Sequence, residues 1–199
     1  MLGRNILATV PRDTFLALIG TKSTTLAQRQ HTGEAAFAFG VEKPAHIGEY
    51  LYLDAYAAIL ASALNRVGGL QLKQAADIVR RTWDDWLTLL IRVESNPHIE
   101  QYTCVAWSLD RSEPPHVAMG TADDIGKVLP AGETAPCMIP MQLLLRCLRA
   151  NAAKAGIELP ARLTADPSDK QAYAEWRRDI DAYREAAGAR VAKAKLTPA

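Results

Sequence analysis

A short polar segment, residues 22–31, carries the side chains best suited to bind another molecule. Arginine and glutamine can hydrogen-bond the edges of guanine and adenine in the DNA major groove, and serine and threonine can bind phosphate. No acidic residue occurs between Asp13 and Glu34 to repel a phosphate. The residues of this segment predicted to contact DNA are Lys22, Ser23, Thr24, Thr25, Gln28, Arg29 and His31. The alternative is an ordinary solvated helix face.

Two further basic side chains, Lys43 and His46, lie in a segment punctuated by Gly40, Pro44 and Gly48. Glycine and proline at this density are typical of a loop. A loop tip beside a polar helix would bring both side chains near the DNA backbone or the minor groove, and we predict that they contact DNA there. The simpler alternative is that they are solvated charges without a function.

Residues that could catalyse a reaction are scattered along the chain. The four histidines are far apart, and no HExxH, GxSxG, P-loop or GxGxxG motif occurs. The adjacent aspartates at 84–85 and 123–124 would point in different directions on a helix. A dyad of Cys104 and His116 is the remaining candidate for a nucleophile and its base. We therefore predict no enzymatic activity, no metal site and no cofactor.

Hydrophobic periodicity and helix-ending residues indicate which elements position the polar segment. Phe15, Leu18 and Ile19 stand at helical spacing and predict a helix over 11–20 that ends at Gly20. A second helix is predicted over 23–31, closed by a Thr-Gly pair at 32–33. The polar segment would then occupy a short helix held against the first by a tight turn.

The next stretch of sequence predicts a small hairpin followed by two helices. Small and aromatic residues alternate over 35–39, and residues 50–53 are strand-like, so we expect a hairpin within 37–52. Asp54 is predicted to be the N-cap of a third helix. One long amphipathic helix is predicted over 70–94.

This order of elements resembles the winged helix-turn-helix of MerR-like and excisionase-like proteins over residues 11–79. The segments FLALIG and TKSTTLAQRQHTG resemble the helix-turn-helix pair. The segment GEYLYLDAYAAILASALNRVGGLQLKQAADIV resembles the wing exit and the two helices that follow, with a matching turn at 69–75 (GLQLKQA). The resemblance implies that the second helix enters the major groove and that the hairpin acts as a wing.

An Asn-Pro pair at 96–97 predicts a boundary between a DNA-binding domain (1–95) and an α+β effector, dimerisation or partner-binding region (97–199). In the second region we expect a hairpin of 101–109 and 116–120. A helix with a capping box of Thr121 and Asp124 should follow. Residues 130–140 are predicted to be a loop. A helix is expected at 141–156, and a last one at 170–195.

The last predicted helix carries a stripe of large apolar residues at steps of three, four and three. Its members are Tyr173, Trp176, Ile180 and Tyr183. The spacing predicts an interface with a dimer mate or another partner. Packing of the stripe onto its own chain is the alternative.

The composition limits the classes of function that the chain can have. Of 199 residues, 49% are hydrophobic, which is enough for a core, and the formal net charge is only +1, so a DNA-binding face must gather its basic residues locally. Three widely spaced cysteines predict free thiols, and we expect a cytoplasmic protein without a membrane span. The predicted fold is mainly α with small β hairpins.

The predicted function is sequence-specific DNA binding by a transcriptional regulator that acts as a homodimer, since one short helix makes few base contacts. An unidentified small-molecule or protein effector could act on the second region. The alternatives are a protein-interaction module and an excisionase-like architectural factor.

Overall fold

A computed structural model describes residues 7–108, 113–129 and 134–196. Within these ranges the chain is mainly helical with two small antiparallel sheets, which confirms the fold class at that level. The helices are α1 (Arg12–Ile19), α2 (Ser23–Thr32), α3 (Tyr52–Arg66), α4 (Leu72–Arg81), α5 (Trp83–Ser95), α6 (Ala122–Val128), α7 (Met141–Lys154) and α8 (Lys170–Leu196). The strands are β1 (Thr9–Pro11), β2 (Glu49–Leu51), β3 (Tyr102–Ser108), β4 (His116–Gly120) and β5 (Thr134–Pro140).

The first two helices lie where the sequence predicts them. A glycine follows each one in the left-handed conformation, Gly20 at φ 61° and Gly33 at φ 75°. A residue with a Cβ rarely adopts this conformation, which is why glycine is the usual helix-ending residue here. Because only residues 20–22 join α1 to α2, the turn holds the two helices close together.

The predicted hairpin within residues 37–52 is wrong. Ala36 and Ala38 are buried together with Phe37 and Phe39, so the alternation of alanine and phenylalanine does not give one buried and one solvated face. Ala38–Gly40 form a 3₁₀ turn in which Phe39 has a φ of 59°, which no regular strand allows. Strand β2 pairs instead with β1, with Val10 opposite Tyr50. The two strands therefore bracket α1 and α2, and no wing hairpin extends from them.

The prediction that Asp54 is the N-cap of α3 is wrong, because Asp54 is the third residue of this helix. Its side chain is fully buried, and its two carboxylate oxygens accept hydrogen bonds from the Ala38 and Leu51 N–H groups, both at 2.8 Å. Burial raises the pKa of Asp54 from 3.8 to about 7, although both N–H donors act in the opposite direction. One buried side chain thus joins the 3₁₀ turn to the start of α3.

The long helix predicted over 70–94 is also wrong, because two helices meet there. Thr82 separates α4 from α5 with a φ of −100° and a ψ of 27°. The indole N–H of Trp86 donates to the Val79 carbonyl at 2.9 Å. That carbonyl is one of the last four of α4, which have no donor within their own helix. The apolar periodicity continues across this break, so the periodicity alone does not reveal where α4 ends and α5 begins.

The second sheet confirms the pairing of the strands predicted within 101–109 and 116–120. Strand β3 runs antiparallel to β4, with Ala106 opposite His116. Leu109, the predicted end of the first strand, lies outside the described residues. Helix α6 follows β4 with the predicted capping box, since the Thr121 hydroxyl accepts a hydrogen bond from the Asp124 N–H at 3.2 Å.

The loop predicted over 130–140 is wrong for residues 134–140, which form β5 on the other side of β3. Residues 130–133 lie outside the described residues. Pro136 and Pro140 hide this strand in the sequence, because proline lacks an N–H for a sheet ladder. Strand β5 tolerates them since it is an edge strand, whose only strand partner in the described sheet is β3.

The apolar stripe of α8 packs onto its own chain. Trp176 and Ile180 are fully buried, and Tyr173 and Tyr183 pack against the same hydrophobic cluster. Trp176 and Ile180 therefore pack within the chain, whereas Tyr173 and Tyr183 are half-buried and keep part of their surface exposed. An apolar stripe has the same spacing whether it packs within a chain or against a partner, so the interface with a dimer mate stays a prediction.

One hydrophobic cluster spans most of the described chain. It contains Leu7 near one end and Ala187 near the other, together with residues of α3, α5 and α7. Residues from both sides of position 96 therefore share a core. The division into domains 1–95 and 97–199 stays a prediction.

Two fully buried tryptophans differ in their hydrogen bonding. Trp86 Nε1 donates to the Val79 carbonyl, whereas Trp176 Nε1 is buried without a partner among the described residues. Both substitutions to phenylalanine delete a similar side-chain volume. Trp86→Phe also loses a hydrogen bond, whereas Trp176→Phe removes an N–H group that has no partner. We expect Trp86→Phe to lower the free energy of unfolding by about 1–2 kcal/mol more than Trp176→Phe, measured by urea denaturation. Equal losses would contradict this difference.

Candidate nucleic-acid interface

Helix α2 presents one polar face to solvent. Thr24, Gln28 and His31 recur at helical spacing and are all exposed. Leu26, which is 3% exposed, anchors the opposite side in the core. Nothing covers the polar face in the described chain, so these three side chains are available to a ligand that lies along the helix.

The other predicted residues of the 22–31 segment have different positions. Lys22 and Ser23 are exposed at the beginning of α2, and Thr25 is half-buried. Arg29 is half-buried and lines a separate cavity between α2, α3 and α7. Adjacent helical residues diverge by about 100°, so Arg29 points away from the exposed face. The structure therefore does not bring Arg29 together with the other predicted DNA contacts.

A cleft of about 300 Å³ opens beside the end of α2, between the start of α1, the loop at 43–48 and the last turns of α8. We call it the basic cleft. Among the described residues that line it, none is acidic. Its basic side chains are His31, Lys43 and His46, which the sequence predicts as contacts, together with Arg12 and Arg190.

Helix α8 holds the loop of the basic cleft in place. The Ala45 N–H donates to the Tyr183 hydroxyl at 3.3 Å. The Arg190 guanidinium donates to the His46 carbonyl at 3.3 Å and also to the Pro44 carbonyl. Because all of these bonds are made by backbone atoms of the loop, the Lys43 and His46 side chains stay exposed.

Arg12 connects the basic cleft to the helix pair. Its Nη2 donates to the Ser23 carbonyl at 3.4 Å, at the start of α2. Its Nε is buried and has no hydrogen-bond partner in the part of the chain that the structure describes. An unpaired guanidinium N–H is unfavourable, and a phosphate oxygen is an acceptor that suits it.

Arg12, Gln30 and Arg190 are among the lining residues of the basic cleft that the sequence does not predict as contacts. Gln30 lies within the polar segment, and Arg12 stands at the start of the first predicted helix, so their positions were available in the sequence. Arg190 lies 146 residues from Pro44, whose carbonyl it contacts. No local signal indicates so distant a contact.

The basic cleft has a rigid side and a limited extent. Tyr50 lines it, and its ring stacks on Phe15 with centroids 4.2 Å apart and planes inclined by 10°.

Acidic side chains surround the basic cleft, since Asp13, Glu42 and Glu49 are exposed on the adjoining segments. The acid-free cleft is thus bordered by acidic side chains, so its positive charge is local and suits a single phosphate group.

The Cys104/His116 dyad lacks the properties of a nucleophile and its base. Cys104 is fully buried, and burial raises the pKa of its thiol, whereas a nucleophile needs the thiolate. His116 is exposed and stands opposite Ala106 in the sheet, not opposite Cys104. Across residues 7–108, 113–129 and 134–196, no three His, Cys, Asp or Glu side chains are grouped so that they could hold a metal ion.

None of the helices in the described ranges combines the length and apolar character needed to cross a bilayer.

Comparisons with known proteins leave the site to be interpreted from its own geometry. No family model matches the sequence, and no curated protein matches it.

Proposed function

We propose that this chain binds double-stranded DNA through α2 and the basic cleft. The observation that carries the proposal is the grouping of Arg12, Lys43 and Arg190 with two histidines, beside the exposed polar face of α2 and without an acidic lining residue. Phosphates run along both edges of the major groove, so a helix inside the groove has phosphates at its flank. The basic cleft holds one of them while α2 contacts base edges.

The dimensions and side chains of α2 suit the major groove. Its 10 residues extend about 15 Å, and the groove is about 12 Å wide. Gln28 pairs with an adenine edge, and the Thr24 methyl group contacts a thymine methyl. Lys22 and Ser23 contact phosphate at the N-terminal end, where the helix dipole also favours an anion.

The loop at 43–48 supplies a second contact in the place of a wing hairpin. Lys43 and His46 are exposed there, and Ile47 beside them is 85% exposed. An apolar side chain that enters the minor groove unstacks a base step and bends the duplex. The exposure of Ile47 therefore favours a second candidate function, that of an architectural factor that bends DNA.

The proposed role is a sequence-specific regulator that acts as a homodimer, because two copies of α2 double the small number of base contacts. The resemblance of residues 11–79 to MerR-like and excisionase-like proteins supports this role. Trp176 and Ile180 of the α8 stripe are buried within the chain, so we propose a dimer surface outside this stripe. A protein-interaction module built on the stripe is not part of the proposal for the same reason.

Fluorescence anisotropy with a labelled duplex of random sequence tests the proposal. Each phosphate contact contributes about −0.9 to the slope of log affinity against log salt, so affinity should fall as salt rises from about 50 to about 200 mM. Lys22→Ala combined with Lys43→Ala should reduce the slope by about 2.

The matched control combines Lys73→Ala with Lys154→Ala, which removes two exposed lysines from α4 and α7. It makes the same change in net charge and should leave the slope unchanged. Binding that does not depend on salt, or the same effect in both double variants, would count against the proposal.

A further inference from the structure

A second cavity, of about 550 Å³, lies where the end of α1, helix α2, helix α3, the end of β5 and helix α7 meet. Small-molecule sites typically enclose about 300–1,000 Å³, so the cavity has the size of a ligand site. Its walls are largely apolar and include Ile59, Ala63, Ile139 and Leu144. It is separate from the basic cleft, since the two share no lining residue.

Two cations from different elements line this cavity. Arg29 comes from α2 and Arg66 from the last turn of α3. Within the described ranges neither guanidinium forms a side-chain hydrogen bond or an ion pair, and no acidic residue lines the cavity. Ser62, which is half-buried in α3, adds a hydroxyl group. The polar groups of the cavity are thus suited to an anion.

The mouth of the cavity exposes apolar surface. Val67 is 60% exposed and Leu143 is 49% exposed, and both line the cavity. Few large apolar residues of the described chain are exposed to this degree, and two of them are grouped here. An apolar ligand that covers them removes this surface from water, which favours binding.

The geometry points to a binding site for a small organic carboxylate with an apolar body. The apolar part lies between α3 and α7, and the carboxylate is held by Arg29 and Arg66, because guanidinium groups form strong charge-assisted hydrogen bonds with carboxylates. Arg29 belongs to α2, so the ligand contacts the helix that we propose enters DNA. Binding of the ligand itself does not depend on that proposed function.

Isothermal titration calorimetry with decanoate, compared with decan-1-ol and decyltrimethylammonium, tests the assignment on the full chain. Decanoate should bind one molecule per chain, at least tenfold more tightly than the uncharged alcohol, and the cation should not bind. Arg29→Gln and Arg66→Gln should each weaken decanoate binding about tenfold and leave the binding of the alcohol unchanged. Arg146→Gln, which alters an exposed arginine of α7 outside the cavity, is the matched control.

Each outcome decides the assignment without any DNA measurement. Leu143→Asp places a like charge at the mouth and should abolish decanoate binding; because Leu143 is half exposed, the variant should stay folded, which far-UV circular dichroism checks. The assignment is overturned if decanoate produces no binding heat. It is also overturned if decanoate and decanol bind equally, or if the two cavity arginine variants behave like Arg146→Gln.

Discussion

Replacing Asp54 with alanine is expected to lower the free energy of unfolding by about 3 kcal/mol. The carboxylate accepts hydrogen bonds from the Ala38 and Leu51 N–H groups at 2.8 Å, and alanine leaves both donors buried without a partner. An unsatisfied buried N–H costs about 1–3 kcal/mol, and relief from burying a carboxylate offsets part of the total. Urea denaturation measures the loss. Asp85→Ala, at an exposed position of α5, is the control and should change stability little.

The pH dependence of this loss gives Asp54 a signature of its own. Its pKa is raised to about 7 in the folded chain from 3.8, so the folded state binds more protons than the unfolded state between these values. The contribution of Asp54 to stability is therefore complete below pH about 4 and is lost as the pH rises through about 7. Asp54→Ala should consequently destabilise the protein more at pH 5 than at pH 8.

Asp54→Asn separates the charge from the hydrogen bonds. The amide keeps one acceptor oxygen and has no carboxyl proton to lose, so the difference in stability from the wild type should shrink as the pH rises from 5 to 8. A difference that stays constant over this range would show that Asp54 does not titrate there. A loss of less than 1 kcal/mol for Asp54→Ala would contradict its role in joining the 3₁₀ turn to α3.

Reversing two charges in the basic cleft should weaken DNA binding at least 100-fold at about 0.1 M salt. Arg12→Glu with Lys43→Glu removes two phosphate contacts and places two carboxylates where the phosphate would lie, so lost attraction and added repulsion combine. Arg12 is half-buried and Lys43 is exposed, and their loss removes one weak hydrogen bond, to the Ser23 carbonyl at 3.4 Å. Competition anisotropy measures the affinity.

Arg146→Glu with Lys154→Glu provides the matched control for the charge reversal. Both residues are exposed on α7, outside the basic cleft, and the pair gives the same change in net charge. The control should lose much less affinity than the cleft variant, because charges beyond a Debye length of about 10 Å are screened. Equal losses in the two variants would assign the effect to net charge and contradict a localised phosphate site.

The features that the sequence predicts correctly depend on local interactions. Gly20 and Gly33 end α1 and α2 because the left-handed conformation is a property of single residues. The capping box of Thr121 and Asp124 joins groups three residues apart. Such signals stand next to one another in the chain, so a pattern of residue types is sufficient to find them.

The features that the sequence does not predict depend on contacts between distant residues. Strand β2 pairs with β1 across about forty residues, and Asp54 reaches back to Ala38, so the segment between them forms no hairpin. Arg190 completes the basic cleft from the far end of the chain. Trp176 and Ile180 have the spacing of an interface stripe but are buried within their own chain.

The candidate site was therefore predicted only in part. The polar residues of α2 and the basic residues of the loop could be found from the sequence, because a stretch without acidic residues can be read directly along the chain. The sequence did not show that His31, Lys43 and His46 line the same cleft while Arg29 faces a different cavity. That difference arises from the orientation of side chains around α2 and from the packing of α8 against the loop.

The most direct test of the central claim is a map of the DNA contact by nuclear magnetic resonance. Amide chemical shifts of the isotope-labelled chain are followed while an unlabelled duplex is added. We predict that changes concentrate at residues 22–31 and 43–48 and at Arg12 and Arg190, and that β3–β5 stay unaffected. Changes centred on the β3–β5 sheet, or no changes at a molar excess of duplex, would contradict DNA binding through α2 and the basic cleft.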